Sequence, residues 1–132
     1  MYLRELKISN FKNIEEKEFS FSQINCFVGN NGVGKTNVLD AIYYLSFCKS
    51  FFNNNDFHSI RYEQDFFALH GDYSLNGVEE RISCTLKKEG KKQIKHSGKA
   101  YTRLSEHIGK IPTVMIAPND HILITGGSDV RR

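Results

Sequence analysis

The sequence of 132 residues predicts an α/β fold: a strand, a glycine loop and a helix packed with antiparallel strands. Two observations carry that prediction. Gly29-Asn30-Asn31-Gly32-Val33-Gly34-Lys35-Thr36 matches every fixed position of the G-x-x-x-x-G-K-[ST] pattern, between an apolar run and a helical repeat. Beyond residue 65 the chain turns to strand-like runs separated by turn residues, the mark of antiparallel hairpins.

The elements follow in order. Tyr2 to Ser9 alternates, with Leu6 and Ile8 on one face and Lys7 and Ser9 on the other, as a half-buried strand does. Asn10 to Asn13 reads as a turn, and Ile14 to Phe21 as a second strand with Phe19 and Phe21 inward. Ile24 to Val28 is a short apolar run, read as the strand that leads into the glycine loop. Val38, Leu39, Ile42 and Leu45 then recur at helical spacing through Phe47. Cys48 to Asn55, with Asn53-Asn54-Asn55, reads as loop. Strands are expected at Phe66–Leu75, Glu80–Lys87 and Lys92–His96. Asn76-Gly77 and Glu89-Gly90 are the turns between them, the first a type I′ signal. Arg103 to Ile108 reads as a short helix closed by Gly109, and Thr113 to Ala117 as a buried strand stopped by Pro118.

Strand, glycine loop and helix in that order suit phosphate binding. Free N–H groups and the dipole at a helix N-terminus favour an anion, and glycines let the backbone curl so that successive N–H groups face one concavity. Lys35 is expected to reach the β- and γ-phosphates, and the Thr36 hydroxyl to ligate Mg²⁺. The pattern therefore predicts a site for a nucleoside triphosphate.

Size and composition set bounds. The length is that of about one domain. With 39% hydrophobic and 25% charged residues the chain has an ordinary globular balance, which excludes compositional disorder. No apolar run approaches the ~20 residues of a membrane span. Arg4, Glu5 and Lys7 give the N-terminus a strand-like rather than signal-peptide character. Cys26, Cys48 and Cys84 lack metal-ligand spacing and read as reduced, mostly buried thiols of a cytoplasmic protein. A net charge of +3 says little about nucleic acid.

Strands, phosphate loop, helix and then a meander is the order expected of the nucleotide-binding lobe of an ABC-type ATPase, not of a nucleotide kinase or GTPase. No four-residue apolar run ending in Asp or Glu, the usual Mg²⁺-holding acid, follows Thr36. The pattern looks like half of an active site, with no catalytic residue of its own.

The segments Ile8-Ser9-Asn10-Phe11-Lys12-Asn13, Val28 to Leu45 and Lys49-Ser50-Phe51 together resemble the N-terminal part of the RecF family of bacterial recombination and repair ATPases, related to SMC proteins. So do Ile60 to Gln64, Leu69-His70-Gly71, Ser97-Gly98-Lys99 and Gly126-Gly127-Ser128-Asp129-Val130-Arg131-Arg132. Lys12 stands where an arginine is usual, Asp40 where glutamate is, Phe52 where arginine is common, and Ser128 where proline is. Lysine lacks the planar, stacking guanidinium.

The resemblance implies that residues 1–132 are lobe I of a two-lobed head, a sandwich-like mix of strands around the helix. The signature motif, Walker B and D-loop would lie in a C-terminal lobe that this sequence does not include. It implies an ATP-dependent DNA clamp, a weak DNA-dependent ATPase that closes as a homodimer on two ATP. The clamp would act at single-strand gaps or junctions with RecO and RecR to help load RecA, in repair, replication and the SOS response. It places Lys12 and Asn13 beside the nucleotide, against the alternative of a plain polar turn. Asn37 would touch phosphate or a neighbouring loop, or simply cap the helix. Asn119 and Asp120 fall where a Q-loop is expected, or in an ordinary turn. Lys87 to Lys99 is lysine-rich; it suits phosphate contacts, but a solvated hairpin explains it equally. Phe51, Phe52, Phe57, Phe66 and Phe67 read as core or interface. A P-loop kinase or GTPase, and an SMC-type structural protein, are the competing classes.

Overall fold

The computed structural model describes residues 2–29 and 34–116. Alternation drives its first element. In β1, Tyr2–Phe11, Leu6, Ile8 and Phe11 are buried while Lys7 is exposed. A register shift between Leu3 and Glu5 brings Leu3 onto the same face as Leu6, where it packs against the core. β1 runs to Phe11, two residues further than expected. A two-residue turn, Lys12-Asn13, leads to β2, Ile14–Ser20, with Phe11 opposite Ile14.

β3, Phe66–Leu75, and β4, Val78–Lys87, form the hairpin that Asn76-Gly77 announces; both turn residues have positive φ, 52° and 80°. β5, Gln93–His96, and β6, Lys99–Ala100, close the meander across Ser97-Gly98. The described strands form one antiparallel sheet in the order β2-β1-β3-β4-β5-β6, not a sandwich. Its outer face carries cross-strand charge pairs: Lys7 with Glu18, and Arg81 bidentate on Asp72 at 2.6 and 3.2 Å. Such exposed pairs contribute little stability.

Helix α1, Lys35–Phe47, covers the other face. Val38, Ala41, Tyr44 and Leu45 are its buried apolar positions, with Asp40 and Ser46 buried beside them; Leu39 is exposed and Ile42 only partly buried. The apolar stripe is thus narrower than the spacing suggested, because the helix packs on one sheet. Phe11, Tyr44 and Phe67 meet edge-to-face with centroids 5.3–6.0 Å apart, and this cluster is the centre of the core.

Three expected elements are corrected. Ile24 to Val28 is extended but pairs with no described strand, leaving Ile24 90% and Val28 84% exposed. Thr113 to Ile116 is likewise unpaired, with Val114 and Ile116 exposed; Ala117 lies outside the described residues. A strand exists only where a neighbour takes its N–H and C=O groups, and apolar sequence cannot supply one. Arg103 to Ile108 is reduced to a one-turn 3₁₀ helix, Leu104–Glu106, with Gly109 at φ 91°. A second 3₁₀ turn, Asp56–Ser59, was not anticipated; Asn55 caps it by accepting from the Phe57 N–H. Of the cysteines, Cys48 and Cys84 are buried, their thiols pushed up by burial, whereas Cys26 is exposed.

Candidate nucleotide-binding site

The site is built where the β1–β2 turn meets the start of α1. Gly34 is the N-cap, with φ 95°, and no described side chain caps the helix. That φ strains any residue with a Cβ, and a Cβ there would also press on the Asn13 amide, 3.0 Å from Oδ1. The first turn of α1 contains no acidic residue. An uncapped N-terminus leaves N–H groups and a positive dipole end for an anion. Lys35 and Thr36 open the helix, and the Lys35 ammonium donates to the Gly29 carbonyl. Asn30, Asn31, Gly32 and Val33 lie outside the described residues. So do Asn119 and Asp120, and the Gly126–Arg132 ending. A glycine-capped, carboxylate-free helix start carrying a lysine and a threonine fits a triphosphate with its Mg²⁺.

Asn37 does not cap the helix. Its amide donates to Asn13 Oδ1 at 2.7 Å, joining α1 to the β1–β2 turn. Lys12, in the same turn, is held by a carboxylate of α1. Its ammonium lies 2.5 Å from Asp40 Oδ2 and 3.3 Å from Ser50 Oγ, with the rings of Phe11 and Phe52 nearby. Asp40 is fully buried, and it also accepts from Ser50 Oγ at 2.6 Å and the Phe51 N–H at 2.7 Å. Two residues that depart from the usual arginine and glutamate are therefore partners in one ion pair. Nothing local in the sequence links the two; the carboxylate inside the apolar stretch Val38 to Ile42 is the one signal of a buried partner.

Within the lysine-rich segment, Lys92 precedes β5 and is not a free cation. It donates to the Cys48 carbonyl, pairs with Asp56 at 2.8 Å and lies over the Tyr44 ring. Lys87, Lys88, Lys91, Lys95 and Lys99 are exposed. Phe67 is core, Phe51 packs on Tyr43 and Phe52, while Phe52, Phe57 and Phe66 are 41–48% exposed. No described helix is long and apolar enough to cross a membrane.

The chain matches the AAA ATPase domain family over residues 1–117. It is 54% identical, along its whole length, to the DNA replication and repair protein RecF of Bacteroides fragilis, covering 36% of that protein. The RecF of Flavobacterium johnsoniae is 49% identical, with 37% of its length covered. A solved structure of the recombination mediator protein RecF with ATP, in the RecFOR pathway, superposes with a TM-score of 0.90 at 30% identity, over 98% of this chain and 35% of that one. A structure from work on SMC ATPases, 18% identical, shares the fold with a TM-score of 0.82, over 99% of this chain and 95% of that one. The chain thus spans little more than a third of the curated relatives it matches. On the fold, the phosphate-loop helix and these likenesses together, the chain belongs to the AAA ATPase domain family and is a homologue of the N-terminal part of RecF.

Proposed function

We propose that residues 1–132 are the ATP-binding lobe I of a RecF-like DNA repair protein. The carrying observation is the glycine-capped start of α1, with Lys35 and Thr36 in its first turn and Asn13 packed against Gly34. Lys35 sets its charge against the β- and γ-phosphates, and Thr36 offers its hydroxyl to Mg²⁺, which when bound neutralises phosphate charge. Gly29 through Thr36 wrap the phosphates; Asn37 and Asn13 fix the loop against the sheet. The relative solved with ATP, alike over nearly the whole chain, supports this reading.

The whole protein is then a cytoplasmic, ATP-dependent clamp. It closes as a homodimer on DNA at gaps or junctions, works with RecO and RecR towards RecA loading, and hydrolyses ATP weakly under DNA stimulation. Hydrolysis needs a metal-holding acid and a signature motif in trans; positioning is most of phosphoryl-transfer catalysis, so lobe I by itself is expected to be inert.

Calorimetry with ATP and Mg²⁺ tests the binding half. Lys35→Ala is expected to abolish measurable ATP binding, and omission of Mg²⁺ to weaken it. Unchanged affinity in Lys35→Ala would sink the assignment. In a phosphate-release assay residues 1–132 should show no turnover above the Lys35→Ala control; turnover that the substitution removes would place a complete active site in this lobe.

A further inference from the structure

Folding gathers two of the five histidines, which the sequence leaves far from any partner, into one chain of hydrogen bonds. The chain starts on β4, where Glu80 Oε2 lies 2.7 Å from His96 Nε2 and accepts from the Ser97 hydroxyl at 3.0 Å. His96 Nδ1 lies 3.1 Å from the Tyr101 hydroxyl, and His107 Nδ1 lies 3.4 Å from the same oxygen. The last link is to the Leu45 carbonyl, 2.6 Å from His107 Nε2. Leu45 is in the last turn of α1, where carbonyls lack a donor within the helix. The backbone fixes the rings that meet there. The Tyr101 N–H donates to the Ile94 carbonyl and the His107 N–H to the Leu104 carbonyl, both at 3.0 Å.

What each partner can give or take decides where the hydrogens go. The hydrogen bonds of His96 and Ser97 hold the Glu80 carboxyl below its usual range, so it is ionised and only accepts. The Leu45 carbonyl also only accepts. Each ring therefore carries a hydrogen on Nε2, and Tyr101 brings one hydrogen to two facing Nδ1 atoms. With both rings neutral, that hydrogen serves one Nδ1 and leaves the other facing an oxygen lone pair. With both rings protonated, two N–H groups meet one oxygen and the hydroxyl hydrogen has no acceptor in the chain. The chain is complete only when the two rings share one additional proton.

The His96 side chain is 33% exposed and touches Glu80, whereas His107 is fully buried, and burial lowers its pKa. The shared proton therefore sits on His96, and the Tyr101 hydrogen points to His107. Other titratable groups surround the chain. Tyr73 of β3 and Lys110 border His96 in a cavity of about 230 Å³. Glu106 and Cys48, the latter at the end of α1, act on Tyr101, and Lys110 acts on His107. Lys110 opposes a proton on either ring; Glu80, in direct contact, favours it on His96.

We propose that Glu80, His96, Tyr101 and His107 form a proton-sensitive relay tying the end of the meander to the carbonyl end of α1. A proton taken from water by His96 Nδ1 turns the Tyr101 O–H onto His107 Nδ1. Its return to water turns the O–H back and leaves the buried His107 Nδ1 without a donor. The relay lies at the opposite end of α1 from Lys35 and does not depend on the nucleotide reading.

Heteronuclear NMR of the histidine rings in the full-length protein tests the relay, between about pH 5 and 8, where imidazoles titrate. The wild-type His107 Nδ1 signal is expected to shift at the midpoint of the His96 titration, while His107 keeps its Nε2–H tautomer. Tyr101→Phe, which keeps the ring and removes only the hydroxyl, should abolish that shift. His96→Gln should abolish it too. A wild-type His107 signal that stays flat through the His96 midpoint overturns the relay. So does a shift that survives Tyr101→Phe, since it then passes through space. A shift at that midpoint surviving His96→Gln also overturns it, since His107 then titrates by itself. His96 is at the solvent end of the chain, so His96→Gln decides the matter even where Tyr101→Phe fails to fold.

Discussion

Lys12 shows how one side chain is fixed by another far away in sequence. Its backbone has φ 54°, a left-handed conformation that costs a residue with a Cβ roughly 1–2 kcal/mol. The Asp40 carboxylate, fully buried, holds the ammonium and with it the turn that carries Asn13 to the phosphate loop. Removing one member of a buried pair leaves the other charge uncompensated, at about 3–5 kcal/mol. Lys12→Met is therefore expected to lower unfolding free energy by that order in urea titrations. The double variant Lys12→Met/Asp40→Asn, neutral at both ends and still able to accept from the Phe51 N–H, should recover a good part. Equal destabilisation in single and double variants would show the two side chains to be uncoupled. Lys92 carries the same lesson: one lysine among many in the sequence, it is committed to Asp56 and the Cys48 carbonyl by packing alone.

At the scale of elements, the contact between β3 and α1 depends on a missing side chain. A Cβ on Gly71 would sit 2.9 Å from both Leu45 Cδ1 and Tyr73 Cε2, and 3.3 Å from Leu3 Cδ1. Gly71→Ala must displace the Leu45 and Tyr73 side chains between sheet and helix and is expected to cost about 1–3 kcal/mol, as overpacking does. Gly77, at φ 80° in the β3–β4 turn, has nothing within 4 Å. Gly77→Asn should be close to neutral, since asparagine tolerates left-handed backbone and suits such turns. Thermal unfolding of the two variants checks the contrast; similar losses would mean that Gly71 matters for backbone freedom, not for space. The turn at Asn76-Gly77 was legible because its chemistry is local. The closeness of Gly71 to Leu45 was not, because it joins residues 26 positions apart.

Over the whole molecule, a buried histidine ties the meander's far end to the helix. His107 is fully buried; its Nε2–H donates to the Leu45 carbonyl at 2.6 Å, and Nδ1 faces the Tyr101 hydroxyl at 3.4 Å. Burial, with His96 and Lys110 near, lowers its pKa from the ordinary value, against the Leu45 hydrogen bond. The folded state therefore binds this proton less readily than the unfolded chain. Stability is full above the unfolded value of about 6.5 and declines as pH falls from there towards the depressed folded value. Urea midpoints at pH 7.5 and 5.5 should show that decline. His107→Gln, which can still donate to Leu45 but does not titrate, should decline less. An identical fall in the variant would assign the acid sensitivity to other groups, such as His70, whose pKa is lowered in the same direction by burial and by Arg81 and Lys7.

The sequence by itself determined the phosphate-loop helix, the β1, β3 and β4 strands and the Asn76-Gly77 hairpin. Each is specified within a few residues, by glycine geometry, capping and period-two alternation. It also determined the family resemblance, since that rests on motifs read along the chain. Tertiary structure decided the rest. Ile24 to Val28 and Thr113 to Ile116 have strand-like sequence, yet neither is a strand without a partner to bond. Leu39 and Ile42 match the helical period, yet the buried stripe runs through Ala41 and Tyr44, where the sheet happens to lie. Lys12 with Asp40 and Asn13 with Asn37 arise from two segments that folding brings together. Pairing, burial and charge neutralisation depend on what stands opposite a residue, and only the closed fold settles that.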